Sequence, residues 1–571
     1  MLSPNAVEIL RARYLKRNRA GEVVESPPEL FRRVARAVSA AEQADAPLWE
    51  ERFFQLMEQG VFLPNSPTLM NAGLAEGQLS ACFVLPVGDT MQSIFETLKH
   101  TALIHQSGGG TGFNFSSLRP RGDRTGAGPG SASGPVAFMK VYDEATEQVK
   151  QGGRRRGANM GILNITHPDI RHFIESKTDP AALRNFNISV GVTDAFMQAV
   201  QANAPWTLIN PRDGRKWSEV PARELWESIC HQAWQTGDPG LLFLDTINAL
   251  NPLPGLGPLQ ATNPCGELPL FPYESCNLGS VNLSKMLKTQ PDGKPFLDWD
   301  RLGEVTAQGL RFLDNVISVN RFLLPETRTI TLSNRKVGLG VMGWAELLIE
   351  LGIPYASEEA VELGRKLMGF IQEKSFETSE ALAVQREVFP NWRKSRFYPH
   401  RQLRNASCNS IAPTGSISVI AGTSYSIEPL YALAFRRVGI LEGAEQLEVN
   451  SRVQRVLQTH GYWTPEVKEC IYGQGGISSL DHIPETLRRL LAPAHEIPWE
   501  YHLAHQQAFQ QYTDNAVAKT VNLPADTPAT VVAAIYQKAW EMGLKGITIY
   551  RDGSKGAQVL QHCQSAVSCE L

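Results

Sequence analysis

The sequence predicts an α/β fold preceded by a helical N-terminal segment. Two observations lead to this prediction. Short apolar runs bounded by Gly, Pro and Asn alternate with longer stretches of helical periodicity, and this alternation begins only after about residue 60. The chain has 571 residues, of which 42% are hydrophobic, so it can bury a core without disulfide bridges.

The N-terminal segment contains a recognisable helix start at Ser26. The sequence Ser-Pro-Pro-Glu from Ser26 to Glu29 has the pattern of a capping box, with proline suited to the first helical turn. Leu30, Val34 and Val38 then follow at helical spacing. We therefore expect a small all-α unit here.

Strands and helices alternate through the rest of the chain. Strands are predicted at 81–87, 157–166, 186–193, 206–210, 241–246, 281–283, 416–421 and 546–550. Helices are predicted at 91–105, 137–150, 221–234 and 302–320, and in the more polar stretch 445–491. The expected organisation is a helical segment at 1–60, a catalytic α/β domain at 61–440, its C-terminal part at 441–555 and a flexible tail at 556–571.

Composition excludes several classes of protein. The 55 Lys and Arg residues against 58 Asp and Glu residues give a net charge of -3, so nothing favours binding to nucleic acid or to a membrane surface. Eight cysteines are too few for a secreted disulfide framework. The N-terminus has no apolar signal region, and the most apolar later stretch contains two glutamates and is too short to span a bilayer. These features predict a cytoplasmic protein.

A glycine motif raises the possibility of an NAD-dependent oxidoreductase. Gly338, Gly340 and Gly343 fit the G-x-G-x-x-G pattern, and Glu358 lies twenty residues after the first glycine. The preceding residues 333–336 are polar and do not predict a buried strand. We therefore interpret the motif as a closely packed helix, and the dinucleotide site remains an alternative. The sequence contains no Walker A, HExxH or paired CxxC site.

The pentapeptide from Asn263 to Glu267 is the most informative chemical feature. It places an amide, the Cys265 thiol and a carboxylate at alternate positions, so all three share one face of an extended loop. Cys276 follows eleven residues after Cys265, and Cys82 stands at the start of a predicted strand. Free cysteines in an α/β core are usually inert, so the residues alone leave their role open.

Four further motifs occur with the pentapeptide in a fixed order. They lie at 65–73, 107–114, 150–159 and 412–417. The ordered set, spanning roughly residues 5–555, resembles the ribonucleotide reductases. The likeness is greater to the adenosylcobalamin-dependent class II branch, through QSGGGTGFNFSSLRPRGD, GTSYSIEPLYA and GITIYRDGSK.

The resemblance implies a ten-stranded α/β barrel of two antiparallel five-stranded halves with a central finger loop. It implies a Cys265 thiyl radical that takes the 3'-hydrogen of a ribonucleotide, with Glu267 as general base and Asn263 orienting the sugar. Cys82 and Cys276 are then the dithiol that is oxidised to a disulfide. That step requires their Cα atoms to lie within about 7 Å of each other.

The resemblance also assigns binding residues. The residues expected to contact substrate are Ser66, Ala81, Gly110, Pro413, Thr414, Gly415, Ser416 and Ile417. The residues expected to serve a dNTP or ATP effector and the specificity loop are Asp89, Lys150, Gln151 and Arg155. Cys563 and Cys569 of the tail are expected to pass electrons from a thioredoxin-like or other dithiol reductant. A homodimer is implied, since the effector site of the family lies at a dimer interface.

The expected radical source is adenosylcobalamin, because the chain shows no diiron ligands, no glycyl-radical motif and no paired C-terminal tyrosines. The substrate is expected to be a diphosphate. Two alternatives remain open: a class I-type catalytic subunit that needs a separate radical subunit, and a catalytically silent nucleotide-binding relative.

Overall fold

The computed structural model describes residues 2–75, 77–125, 130–151, 155–437 and 446–554. Ten strands of this part form one mixed sheet. They are β1 (Phe62–Pro64), β2 (Cys82–Val84), β3 (Gly110–Asn114), β4 (Asn159–Asn164), β5 (Phe186–Val192), β6 (Gly240–Phe243), β7 (Ser275–Asn282), β8 (Val337–Met342), β9 (Thr520–Leu523) and β10 (Gly546–Arg551).

The sheet contains two sets of strands that run in opposite directions. Strands β2 to β6 are neighbours in chain order and are all parallel. At one end, β10 pairs antiparallel with β6 and parallel with β9. At the other end, β7 pairs antiparallel with β2 and with β1, and parallel with β8.

An extended segment at 407–411 links the two ends of the sheet. A parallel bridge joins Leu339 of β8 to Asn409, and a second joins Ile411 to Val517, just before β9. With this segment, the set that runs opposite to β2–β6 also contains five parallel stretches, and the short β1 lies beside β7 in the opposite direction. The arrangement agrees with the predicted two antiparallel five-stranded halves.

Helices cover the sheet and form the N-terminal region, which confirms the predicted α/β class with its helical start. They are Pro4–Ile9, Pro27–Ser39, Ala46–Glu58, Ser66–Asn71, Met91–Gln106, Pro135–Gln148, Ile170–Ile174, Asp194–Gln201, Ala222–Thr236, Leu244–Ala249, Trp299–Val319, Pro325–Asn334, Trp344–Leu351, Glu358–Arg386, Gly415–Ala421, Ser451–Thr459, Pro465–Gln474, Glu485–Leu490, Trp499–Gln510 and Ala529–Glu541. None of the helices in the described ranges is long and apolar enough to cross a membrane.

The N-terminal region contains the predicted helix start, and the structure shows how the region is attached to the sheet domain. The capping box is present, and the Ser26 backbone N–H donates to Glu29 Oε2 at 2.7 Å. Buried Glu42 accepts from Arg311 and pairs with Arg386, both on helices of the larger domain. Because the Glu42 carboxylate is ion-paired with both arginines, it fixes the N-terminal region against the sheet domain.

The glycine motif is not the helix that we expected from the sequence. Residues 337–342 form the buried strand β8. A Cβ at Gly340 would lie 2.3 Å from the Ser410 carbonyl oxygen, and one at Gly338 would lie 2.4 Å from Leu278 Cδ2. The glycines therefore allow close packing of neighbouring chain segments, and that packing leaves no room for a pyrophosphate against this backbone.

A second correction concerns 416–421, which was predicted as a strand and is the helix Gly415–Ala421. Its β-branched residues favour a strand locally, but Ile417 and Ile420 are buried at helical spacing and Gly422 ends the helix with φ +66. The strand predicted at 241–246 was also wrong in its second half, since the strand ends at Phe243 and Leu244–Ala249 is helical. The predicted strand at 206–210 belongs to a separate two-stranded hairpin.

Candidate active site

The central loop that bears Cys265 is a hairpin whose two short strands, Ala261–Thr262 and Pro269–Leu270, pair antiparallel. The hairpin crosses β3 where that strand has glycines. A Cβ at Gly112 would lie only 1.7 Å from the Thr262 carbonyl oxygen, and one at Gly110 would lie 2.9 Å from Pro264 Cγ. Only glycine lets the loop pass this close to β3.

The tip of the loop is held by bonds from several parts of the sheet domain. Gly266 has φ +82, and its N–H donates to the Asn263 carbonyl to close a tight turn. Asn187 Nδ2 on β5 donates to the Pro264 carbonyl at 2.9 Å. The Glu267 carbonyl accepts from the Ala516 N–H, also at 2.9 Å. These bonds fix the backbone on both sides of Cys265.

Three of the predicted catalytic side chains meet beside the loop. Asn263 Nδ2 donates to Cys82 Sγ at 3.1 Å, while Asn263 Oδ1 accepts from the Leu268 N–H at 3.0 Å. Cys82 Sγ lies 4.0 Å from Glu267 Oε1. The carboxylate, the amide and one thiol of the prediction are therefore within reach of the same small ligand.

Cys276 lies directly opposite Cys82 in the register of β7 and β2. Directly opposed residues of an antiparallel pair have Cα atoms about 4.5–5.5 Å apart and side chains on the same face. This is inside the limit of about 7 Å for a disulfide. Both residues are free thiols in the structure.

The surroundings keep both thiols protonated. Burial, followed by the nearby Glu267 carboxylate, raises the pKa of Cys82 well above its usual value. Burial also raises the pKa of Cys276, with a further contribution from Glu274 that Lys336 partly opposes. At neutral pH the pair can therefore supply protons and hydrogen atoms.

A cavity of about 290 Å³ opens over these groups. Asn263, Cys265, Glu267 and Cys82 line it. All the predicted substrate residues line it as well, namely Ser66, Ala81, Gly110, Pro413, Thr414, Gly415, Ser416 and Ile417. The size is at the lower end for a site that binds a small organic ligand.

A second cavity of about 350 Å³ adjoins the same loop tip, and the exposed Cys265 lines both cavities. Glu428 and Lys519 line the second cavity and form an ion pair in which the Lys519 side chain is fully buried. Ser426 and Gln506 also line it. Within the described part of the chain, the buried atoms Ser426 Oγ and Gln506 Oε1 have no hydrogen-bond partner. The second cavity therefore offers both charged and unsatisfied polar groups to a ligand.

Family models match almost the whole chain. The model described as "Ribonucleotide reductase, all-alpha domain" matches residues 1–77, and the one described as "Ribonucleotide reductase, barrel domain" matches residues 80–402 and 399–550. The chain belongs to the ribonucleotide reductase family.

Curated relatives and a solved structure agree with this membership. The reductase is 50% identical to "Vitamin B12-dependent ribonucleoside-diphosphate reductase" of Mycobacterium tuberculosis H37Rv, over 98% of this chain and 79% of the relative. It is 45% identical to the protein of the same name from Thermoplasma acidophilum, over 98% and 80% of the two chains. The class Id ribonucleotide reductase alpha subunit of Actinobacillus ureae shares the fold, with a TM-score of 0.78, 24% identity and 97% of each chain covered.

Of the predicted effector residues, Asp89 has a described side chain, and it is not among the described residues that line the substrate cavity of the reductase. Asp89 accepts from the backbone N–H and from Nε of Arg119, at 3.0 and 2.8 Å. Lys150–Gln151 and Arg155–Arg156 form a short antiparallel hairpin, whose side chains and connecting residues are outside the described part. Cys563 and Cys569 also lie outside the described residues. These assignments stay predictions.

Sequence reasoning missed several polar residues of the reductase that line its two cavities, among them the following four. Arg13 and Tyr14 of the N-terminal region line the first, and Glu428 and Lys519 line the second. None of them belongs to the motifs that carried the resemblance, apart from Glu428 in GTSYSIEPLYA. Their positions depend on long-range packing, and no local spacing indicates it.

Proposed function

We propose that this reductase converts ribonucleoside diphosphates to 2'-deoxyribonucleoside diphosphates by radical chemistry at Cys265. The observation that carries the proposal is the shared cavity of Asn263, Cys265, Glu267 and Cys82, with Cys276 paired across the strands from Cys82. The diphosphate substrate is supported by the printed names of the relatives at 45 and 50% identity.

Adenosylcobalamin is the proposed cofactor, on the basis of the same printed names and of the second cavity. When bound, it supplies a one-electron oxidant through homolysis of its cobalt–carbon bond. The second cavity fits the adenosyl end of such a group, since Ser426 Oγ and Gln506 Oε1 are buried polar atoms without partners in the described residues. Asp238, Glu428 and Lys519 are charged residues that would border it.

The position of Cys265 between the two cavities supports the role proposed for it. Its thiol is reached from the second cavity for oxidation and from the first for reaction with the sugar. As a thiyl radical it takes the hydrogen atom from C3' of the ribose. Glu267 accepts the proton of the 3'-hydroxyl, and Asn263 aligns the carboxylate and the sugar hydroxyls.

The paired thiols complete the reduction. Cys82, held as a thiol by its raised pKa, gives a proton to the 2'-hydroxyl, which leaves as water. Cys82 and Cys276 together lose two electrons and two protons and form one disulfide, while C2' gains a hydrogen in place of its hydroxyl. Cys265 returns a hydrogen atom to C3' at the end. One substrate and two thiols thus give one deoxynucleotide, one disulfide and one water.

The alternative of a class I-type subunit is disfavoured because the relatives at 45 and 50% identity are named as vitamin B12-dependent. A silent relative is disfavoured because all five proposed catalytic residues are present and four of them are gathered at one cavity, with the fifth opposite Cys82. A dNTP or ATP effector, a homodimer, a dithiol reductant and a cytoplasmic setting belong to the proposal as the family's expected context.

The test is anaerobic formation of deoxyribonucleoside diphosphates by the purified chain with dithiothreitol and a dNTP effector. Product is expected only when adenosylcobalamin is added, and the Cys265→Ser protein under the same conditions is the control. Product without the cofactor would contradict the proposed radical source. Bound diphosphate with no product in either case would favour a missing radical subunit or a silent relative.

A further inference from the structure

We propose that Arg13, in the N-terminal helical region, binds the outer phosphate of the substrate and so makes this region part of the substrate site. The inference rests on the proposed reduction of ribonucleoside diphosphates. It assigns a role to a residue that lies outside the sheet domain and outside the motifs that identify the family.

The first ground is the position of the N-terminal segment. Helix Pro4–Ile9 continues into a π-helical turn at Leu10–Tyr14. Such turns are rare in proteins, and those that occur are often found at functional sites. The helix packs on Gly415–Ala421, and the turn packs on Ser66–Asn71. These two elements carry Ser66 and residues 415–417, which are expected to contact the substrate, so the segment covers both.

The second ground is direct contact. Arg13 Nη1 donates to Ser416 Oγ at 3.4 Å, and the hydroxyls of Tyr14 and Ser66 are 2.7 Å apart. All four residues line the substrate cavity. The cavity wall is therefore made jointly by the N-terminal region and the sheet domain.

The third ground is charge. Among the described residues that line this cavity, Arg13 is the only Arg or Lys and Glu267 is the only Asp or Glu. Glu267 lies beside Cys82, where the sugar must react. A nucleoside diphosphate carries about three negative charges at neutral pH, given a terminal phosphate pKa near 6. Arg13 is the described group that opposes this charge, and a guanidinium can hold a phosphate through two parallel hydrogen bonds.

A purely structural role explains Arg13 less well. Its side chain is exposed, and its bond to Ser416 is long. Exposed contacts of this kind contribute little to stability. The guanidinium is thus free to turn from Ser416 to a phosphate oxygen without a large loss.

The experiment compares binding of CDP and of cytidine to the Arg13→Ala protein, by isothermal titration calorimetry with a dNTP effector present. A lost hydrogen bond to a charged group predicts that CDP binds about 10- to 100-fold more weakly, while cytidine affinity does not change. Arg13→Lys should be intermediate, because it keeps the charge and loses the paired geometry. The matched control is Arg11→Ala, which removes an exposed arginine from the same turn but outside the cavity and should bind CDP as the unaltered protein does.

Equal CDP affinity in Arg13→Ala and the unaltered reductase would overturn the inference. So would an equal loss of affinity for CDP and cytidine, since that indicates a general disturbance of the site. If the variant folds poorly, the KM for CDP of Arg13→Lys decides the matter, and a KM equal to that of the unaltered protein overturns the inference. Failure of the proposed function is distinguishable, because in that case the unaltered protein reduces none of the four ribonucleoside diphosphates, whereas the calorimetric comparison measures binding alone.

Discussion

Substitution of Gly112 by Ala should disable the catalytic loop while leaving the fold intact. The added Cβ would lie 1.7 Å from the Thr262 carbonyl oxygen, and real contacts of this kind are essentially never under 3.0 Å. The hairpin or β3 must therefore shift by at least about 1.3 Å at Thr262, the residue that precedes Asn263. A displacement of about 1 Å at a catalytic group can cost on the order of 100-fold in rate. We expect a loss of deoxynucleotide formation of at least about 100-fold, with a destabilisation of about 1–3 kcal/mol from overpacking.

The assay measures deoxynucleotide formation, CDP binding and thermal unfolding on the same preparation. Gly473→Ala is a suitable control, because a Cβ at Gly473 meets nothing within 4 Å and the site is helical, where alanine is favoured. The control should keep full activity. If Gly112→Ala retained more than about half of the activity with an unchanged unfolding temperature, the loop would not depend on this crossing, and the geometric account of the site would be wrong.

The remaining predictions concern the thiols and the attachment of the N-terminal region. Cys265→Ser should abolish turnover and leave nucleotide binding and thermal unfolding unchanged, and appreciable activity would remove the thiyl mechanism. Cys82→Ser and Cys276→Ser should each prevent multiple turnover with dithiothreitol, and unaffected steady-state rates would contradict the redox pair. Burial alone would raise the pKa of Glu42, but hydrogen bonds led by Arg311 outweigh it and lower the pKa to about 2. Because the folded pKa is below the unfolded one, this carboxylate stabilises the fold above pH of about 4.5 and loses that effect as the pH falls towards 2. Glu42→Gln should therefore unfold at a lower temperature than the unaltered protein at pH 7 and at a similar one near pH 2, and a difference that does not depend on pH would contradict this reasoning.

The order of motifs identified the family from the sequence and predicted a site for it, but the residues alone did not give the roles of the cysteines. Cys82 and Cys276 are 194 positions apart, and their pairing depends on how β2 and β7 meet. Hydrophobic pattern alone does not set that register, since β7 is buried along its whole length and has no alternation to read. The resemblance supplied the pairing, and the structure gives its physical basis.

Strand β8 was missed because charged residues precede it. Lys336 looks exposed in the sequence, yet its side chain and that of Glu274 are both fully buried, with Nζ and Oε2 2.9 Å apart. Arg335 is likewise paired with buried Asp314. Each charge is compensated by a residue distant in sequence, which local pattern analysis cannot see. Strand β3 was missed for the opposite reason, because the glycines that let the loop cross it lower its apparent strand propensity.

The two cavities explain why the central loop must be both narrow and rigid. In the proposed mechanism, Cys265 is reached from one cavity by an oxidant and from the other by a sugar, so the loop that carries it can be only one hairpin thick. Such a thin element has little core of its own, and it is held by contacts with β3, β5 and residue 516. Under this mechanism the glycines of β3 have a role that their conformation alone does not show. They bring the supporting strand close enough to hold the Cys265 thiol in place between the two cavities.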